Sequence, residues 1–103
     1  MYATHVTFNL DGLSEQDYIE MTKSLAPSYA AVPGLKVKIW IKQSNNGVYG
    51  GIYLWESKAA YQNYMESELY KSVRSHPNLV NLNTECYDNI PEGTSATKGP
   101  CDF

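Results

Sequence analysis

The stretch LKVKIWIKQSNNGVYGGIYLW, residues 35–55, decides the fold predicted for this chain. Residues 35–42 alternate between aliphatic side chains and a set of three lysines and one tryptophan, which is the pattern of a half-buried strand. Asn46-Gly47 follows and is the strongest short-range signal for a β-hairpin. Residues 48–55 are therefore predicted to return beside the first strand in the antiparallel direction.

A strand and a helix are predicted before this hairpin. Residues 2–10 alternate in the same two-residue period. Ser14 and Asp17 have the spacing of a helix capping box, so a helix is predicted to begin there. Pro27 lies within the helical pattern and is expected to kink it or end its regular part, because proline lacks the backbone donor.

A second helix and a last strand are predicted after the hairpin. Ser57 is placed to cap a single helix that Pro77 ends, and residues 79–90 read as a strand. The order βαββαβ predicts an α+β, ferredoxin-like domain over residues 1–90, with both helices on one face of a four-stranded antiparallel sheet. Residues 91–103 are rich in Gly, Ser, Thr and Pro and are predicted to form a mostly irregular C-terminal tail.

Strand periodicity then divides the side chains between the two faces of the sheet, because alternate residues share a face. The aliphatic side chains are expected to face the helices. They are Val6, Phe8 and Leu10 in the first strand, Leu35, Val37, Ile39 and Ile41 in the second, and Ile52 and Leu54 in the third.

The opposite face is expected to carry the polar and aromatic side chains. They are His5, Thr7 and Asn9, then Lys36, Lys38, Trp40 and Lys42, then Tyr49, Gly51, Tyr53 and Trp55, with Tyr87 as a candidate in the last strand. An exposed aromatic surface of this kind is typical of an interface or a binding site. We therefore expect a homodimer through the sheet face, with an aromatic-lined cavity on each sheet.

The totals exclude several classes of function. A net charge of −3 argues against a nucleic-acid footprint, and no apolar run reaches the length of a membrane span. Without a signal-peptide pattern, the chain is expected to be soluble and cytoplasmic. No metal or phosphate-binding motif is present, so no metal is predicted, and Cys86 and Cys101 are interpreted as free thiols rather than a disulfide.

Several of these motifs together resemble the YdhR-like mono-oxygenases, a family of the dimeric α+β barrel superfamily. The likeness lies in Pro33-Gly34 before the second strand, Lys38 and Trp40 two apart within it, and GGIYL at 50–54. It extends to TFNLDG at 7–12 and covers about residues 4–75. The tail after Asn89 does not match the family.

The resemblance implies an enzyme that needs no cofactor, related to the antibiotic-biosynthesis mono-oxygenases. Such relatives oxidise phenolic or anthrone-like polyketides without metal, flavin or haem. The resemblance thus implies a cofactor-independent mono-oxygenase acting on an aromatic or polyketide-like small molecule. Trp40, Tyr53 and Trp55 would stack the ring, and Lys38 or His5 would form or stabilise the substrate anion. The further substrate contacts would be Thr7, Asn9, Tyr49 and Tyr87.

Each of these residues also has a purely structural interpretation. His5 would be a half-buried histidine bonded within the sheet, Lys38 a cation stacked on a ring, and the aromatic set a dimer interface without ligand. His76 would be an exposed cap whose charge suits the end of a helix.

Two other functions remain open. In dimeric α+β barrel polyketide cyclases, which this chain also resembles, an early-strand histidine and a later His-Pro belong to one site, as His5 and His76-Pro77 would here. The other alternative is a non-enzymatic protein that binds an aromatic metabolite.

Overall fold

The computed structural model describes residues 1–100 and contains, within that range, four strands and four α-helices. The elements in chain order are β1 (Tyr2–Leu10), α1 (Glu15–Ala30), β2 (Leu35–Gln43), β3 (Val48–Trp55), α2 (Lys58–Met65), α3 (Glu68–Arg74), β4 (Leu79–Asp88) and α4 (Pro91–Ala96).

The strands form one antiparallel sheet in the order β2-β3-β1-β4. Side chains of α1, α2 and α3 pack with β1 and β3 in the buried core, so these helices cover one face of the sheet. The predicted ferredoxin-like architecture is confirmed. None of the helices within residues 1–100 combines the length and apolarity that crossing a membrane requires.

The hairpin and the first helix follow the sequence closely. Gln43 pairs with Val48, and Gly47 takes the positive φ of 64° that glycine tolerates best. The Ser14 side chain accepts a hydrogen bond from the Asp17 backbone N–H at 3.1 Å, which caps α1. The helix is not ended by Pro27, since it continues to Ala30.

The second helical region and the tail differ from the prediction. The expected single helix is two, because the Ser67 side chain accepts a hydrogen bond from the Tyr70 N–H and caps α3 separately. Within the described part of the tail, residues 91–100, α4 occupies Pro91–Ala96, which the prediction of a mostly irregular segment did not include. A proline stands in its first turn, where the missing donor costs nothing. Cys101 lies outside the described residues, and Cys86 is free and exposed.

The main correction concerns which side chains face the helices. Thr4 of β1 pairs with Tyr53 of β3, and Tyr53 pairs with Lys38 of β2. Directly opposed residues share a face of the sheet, and Thr4 is buried beneath the helices. The helix side of β2 and β3 therefore carries Lys38, Trp40, Lys42, Tyr49, Tyr53 and Trp55, and their predicted place on the opposite face is wrong. Lys36, which lies before the shift in register, is exposed.

The aliphatic side chains of β2 and β3 face away from the helices. Ile39 pairs with Ile52, and their exposed fractions are 50% and 37%. In β2 an irregularity between Leu35 and Val37 shifts the register. Leu35 therefore packs in the core, whereas Val37, Ile39 and Ile41 face away from the helices. Simple alternation along the strand cannot show such a bulge.

Candidate functional site

The candidate site is a cavity between the helix-facing side of the sheet and helices α1, α2 and α3. Its walls are mostly apolar, and Lys38 is the one charged side chain among the described residues that line it. Six tyrosines line it: Tyr18, Tyr29, Tyr53, Tyr61, Tyr64 and Tyr70. The enclosed volume is about 30 Å³.

Lys38 lies inside an aromatic cage. Its Nζ atom donates a hydrogen bond to the Tyr53 hydroxyl at 2.7 Å. The same atom lies 3.4 Å from the ring centroid of Tyr29, 3.7 Å from that of Trp40 and 4.3 Å from that of Tyr53. Ring faces attract an ammonium group, so the cage orients the amine while apolar walls surround it.

Burial changes the acid–base chemistry of this amine. Desolvation lowers the pKa of Lys38 from 10.5 to about 7, because an ammonium group loses its hydration in apolar surroundings. No carboxylate among residues 1–100 forms an ion pair with it. Near neutral pH, Lys38 can therefore accept or donate a proton.

The tyrosine hydroxyls around the cage remain protonated. Those of Tyr29 and Tyr64 lie 2.7 Å apart and share a hydrogen bond. Burial raises the pKa of both hydroxyls and that of Tyr53 above the ordinary tyrosine value. These groups are hydrogen-bond donors and not phenolates at neutral pH, so the proton-accepting group of the cage is Lys38.

An outer groove meets the cage from outside. It lies between the C-terminal part of α1 and the edge strand β2 and has a volume of about 340 Å³. Tyr29, Lys38 and Trp40 line both this groove and the inner cavity. The cage thus forms the boundary between the two spaces.

Of the predicted site residues, Lys38, Trp40 and Tyr53 come together at this boundary. Trp55 is fully buried behind them, with its indole N–H donating to the Thr4 hydroxyl at 3.0 Å. It supports Tyr53, whose ring is parallel to its own, but does not line the cavity.

Tyr49 faces the helices as well but lies outside the lining of the cavity. Its hydroxyl donates to a Glu15 carboxylate oxygen at 2.9 Å. This contact ties β3 to the first turn of α1.

The structure places four other predicted site residues on the opposite, open face of the sheet. His5 pairs with Ile52 and Glu85, both in that face, and Thr7 lies two residues further on. The Asn9 side chain donates to the Gly47 carbonyl at 2.8 Å. Tyr87 is 47% exposed and donates to Glu85. The cavity described above lies on the helix side instead, and none of these four residues lines it.

The two histidines are not brought together. His76 lies in the turn between α3 and β4, where its Nδ1 atom accepts a hydrogen bond from the Asn78 backbone N–H at 3.1 Å. Neither His76 nor His5 lines the cavity. A polyketide cyclase site that uses both histidines in this cavity is contradicted by that placement.

Sequence reasoning missed the helical contribution to the cavity. Tyr18, Met21 and Leu25 of α1 and Met65 of α2 line the site, and none of them was among the predicted site residues. The available signal was tyrosine in an apolar stripe, since a buried phenol hydroxyl needs a partner. Within residues 1–100 no group of His, Cys, Asp or Glu is arranged to hold a metal ion.

Solved structures share this fold at low sequence identity. A protein of unknown function from Nitrosomonas europaea is 15% identical, with a TM-score of 0.73 over 86% of this chain and 88% of that one. An antibiotic biosynthesis monooxygenase is 13% identical, with a TM-score of 0.70 over 88% and 100%. The haem degrader MhuD from Mycobacterium tuberculosis, with two haems bound in its active site, is 12% identical, with a TM-score of 0.70 over 87% and 96%.

The architecture is thus one found in antibiotic biosynthesis monooxygenases. The family described as "Putative mono-oxygenase ydhR" matches residues 4–100, so the chain belongs to that family. The match extends beyond the predicted end near residue 75 and includes α4. A search of curated proteins finds no sequence match.

Proposed function

We propose that this protein is a cofactor-independent mono-oxygenase that oxidises an electron-rich phenolic or polyketide-like aromatic molecule in the cavity beneath the helices. Family membership supports oxygenase chemistry. The observation that carries the proposal is the caged amine of Lys38, which has a pKa of about 7 and no carboxylate partner among the described residues. A proton acceptor in an aromatic, largely apolar cavity suits a phenol that must be deprotonated.

The reaction begins when neutral Lys38 removes the proton from a substrate hydroxyl. The resulting phenolate pairs with the Lys38 ammonium and accepts a hydrogen bond from Tyr53. An electron then passes from the phenolate to dioxygen, and the two radicals combine to form a carbon–oxygen bond. The Lys38 ammonium returns its proton to the peroxide anion. The ring carbon that bears the hydroperoxide then loses its hydrogen as the O–O bond breaks and water leaves, so one oxygen atom stays as a quinone carbonyl and the other departs as water.

The substrate must displace side chains to enter. A benzene ring fits a cavity of roughly 150 Å³, which is well above the 30 Å³ enclosed here. Met21 and Met65 line the cavity, and methionine side chains adapt readily to a ligand. The substrate is proposed to approach through the outer groove and pass between Tyr29 and Trp40.

The proposal includes a homodimer formed through the open face of the sheet. That face carries Ile39 and Ile52, which are unusually exposed for isoleucine, and Tyr87 on the other edge strand, β4. A second copy packed there would bury this apolar surface. The cavities would then lie on the outer sides of the paired sheets, one in each subunit.

The test is oxygen uptake by the metal-free protein over a panel of anthrones, hydroquinones and linear polyketide mimics. We expect the wild type to take up oxygen. Lys38→Met should lose this uptake, and Lys36→Met, on the same strand, should retain it. Loss of uptake in His5→Gln together with full activity in Lys38→Met would contradict the cavity assignment. Saturable ligand binding without uptake would indicate a non-enzymatic metabolite-binding protein.

A further inference from the structure

The hydroxyl of Tyr18 is a buried polar group that the proposed reaction does not use. Tyr18 is 5% exposed, and its hydroxyl oxygen has no hydrogen-bond partner among the described residues. Other buried tyrosine hydroxyls have one: Tyr29 bonds to Tyr64, Tyr53 to Lys38, and Tyr49 to Glu15. Buried polar groups without a partner are rare and need an explanation.

The surroundings of Tyr18 hold its ring firmly. The ring packs edge-on against Phe8 at a centroid distance of 5.8 Å and against Tyr49 at 5.3 Å. Both neighbours belong to the half of the core that lies away from the Lys38 cage. The Tyr18 ring is therefore held by the second cluster of the core, whereas the rings of Tyr29, Trp40 and Tyr53 that surround Lys38 belong to the first.

Tyr18 lines the cavity, and its hydroxyl is a donor. Negative charge on Tyr29 or Tyr49 would raise the pKa of the Tyr18 hydroxyl further. Burial raises the pKa of Tyr18 to about 12, so the proton stays on the oxygen at neutral pH. A ligand atom that approaches this hydroxyl must be an acceptor, such as a carbonyl or ether oxygen.

We propose that Tyr18 binds a second oxygen of the substrate, so that the cavity selects aromatic molecules with an ionisable hydroxyl at one end and an acceptor oxygen at the other. The substrate hydroxyl meets Lys38 and Tyr53, and the acceptor oxygen accepts a hydrogen bond from the Tyr18 hydroxyl. This inference rests on the proposed function, because it requires an aromatic ligand in the cavity. It narrows the substrate to hydroxyaryl ketones and related compounds.

The probe pair is 4-hydroxyacetophenone and 4-ethylphenol, which differ by a carbonyl in place of a methylene group. Binding to the wild type, Tyr18→Phe and Lys38→Met is measured by calorimetry or by quenching of Trp40 fluorescence. Tyr18→Phe should weaken binding of the ketone about tenfold and change that of 4-ethylphenol less than twofold. Lys38→Met should weaken both.

Thermal unfolding of the unliganded protein gives a second readout. Tyr18→Phe removes an unpartnered hydroxyl, so its melting temperature should rise by about 4 °C or more. Tyr2→Phe is the control: its hydroxyl bonds to Cys86 and lies outside the cavity, so the melting temperature should not rise and both affinities should stay unchanged.

The outcomes separate this inference from the proposed function. If the wild type binds both phenols and Tyr18→Phe binds each with the same affinity as the wild type does, the Tyr18 assignment is overturned while the cavity stands. A lower melting temperature in Tyr18→Phe would also overturn it, because it would show that the hydroxyl is satisfied internally. If the wild type binds neither phenol, the aromatic cavity and this inference both fall.

Discussion

Replacement of Lys38 by methionine should affect stability in opposite directions at low and high pH. Methionine is similar in length, and its thioether can occupy the same aromatic cage without a charge. The pKa of Lys38 is about 7 in the folded protein against an ordinary value of 10.5. Between these values the unfolded chain binds a proton that the folded protein does not, so the stability contributed by Lys38 rises with pH across that window.

The magnitude follows from the same shift. At about 1.4 kcal/mol for each pKa unit, forcing the proton onto buried Lys38 below pH 7 costs at most about 5 kcal/mol. Methionine avoids that cost but gives up the bond to Tyr53, which is worth about 1–3 kcal/mol. Lys38→Met should therefore be about 2 kcal/mol more stable than the wild type near pH 6, and less stable by about 1–2 kcal/mol near pH 9.5.

Urea unfolding of both proteins at half-unit steps between these pH values measures the difference directly. Lys36→Met is the matched control, because Lys36 lies on the same strand with its side chain in solvent, and its difference from the wild type should stay nearly constant. A difference between Lys38→Met and the wild type that does not change with pH would refute the argument, since it would show that Lys38 keeps its proton in the folded protein.

Three further changes test the packing that holds the site. Thr4→Val removes the acceptor of the buried Trp55 indole and should cost about 1–3 kcal/mol in urea unfolding. Gly50→Ala should prevent stable folding, measured by circular dichroism and thermal unfolding, because a Cβ there would overlap the Val6 carbonyl in the neighbouring strand. Ile52→Lys on the open face should convert the proposed dimer into a monomer in analytical ultracentrifugation.

Each change has a counterpart that should be mild. Thr7→Val on the open side of β1 should cost less than Thr4→Val, and equal costs would contradict the importance of the indole bond. Gly47→Ala meets no neighbour but strains a positive φ, so about 1 kcal/mol is expected. Ile90→Lys changes an exposed isoleucine beyond the strands; a monomer from this variant, or a dimer from Ile52→Lys, would contradict the proposed interface.

The order of the elements could be predicted because each carries a local signal. The Ser14 cap, the Asn46-Gly47 turn and the two-residue alternation of the strands act within a few residues and need no tertiary information. The break between α2 and α3 was not predicted, because the apolar helical pattern continues past Ser67 and conceals its role as a second N-cap.

The facing of the sheet could not be predicted in the same way. Alternation shows that Lys38 and Trp40 share one face of the sheet and that Ile39 lies on the other. Only the register with β1 shows which of the two faces meets the helices. Assigning the aliphatic residues to the core was reasonable for β1, where Val6 and Phe8 do pack there. In β3 the core is built from tyrosine and tryptophan instead, whose rings fill the layer. Their polar atoms bond to Glu15, Lys38 and Thr4.

Two residues that line the cavity lie in surroundings that are unfavourable for stability. Lys38 carries a charge into an aromatic core, and Tyr18 carries an unpartnered hydroxyl into the same layer. Methionine and phenylalanine would fill these positions without either cost, and stabilising replacements of this kind commonly reduce activity where the wild-type residue serves function. If both polar groups exist to bind a ligand, Lys38→Met near pH 6 and Tyr18→Phe should each gain stability and lose affinity. If they were merely structural, stability and affinity should fall together or affinity should not change.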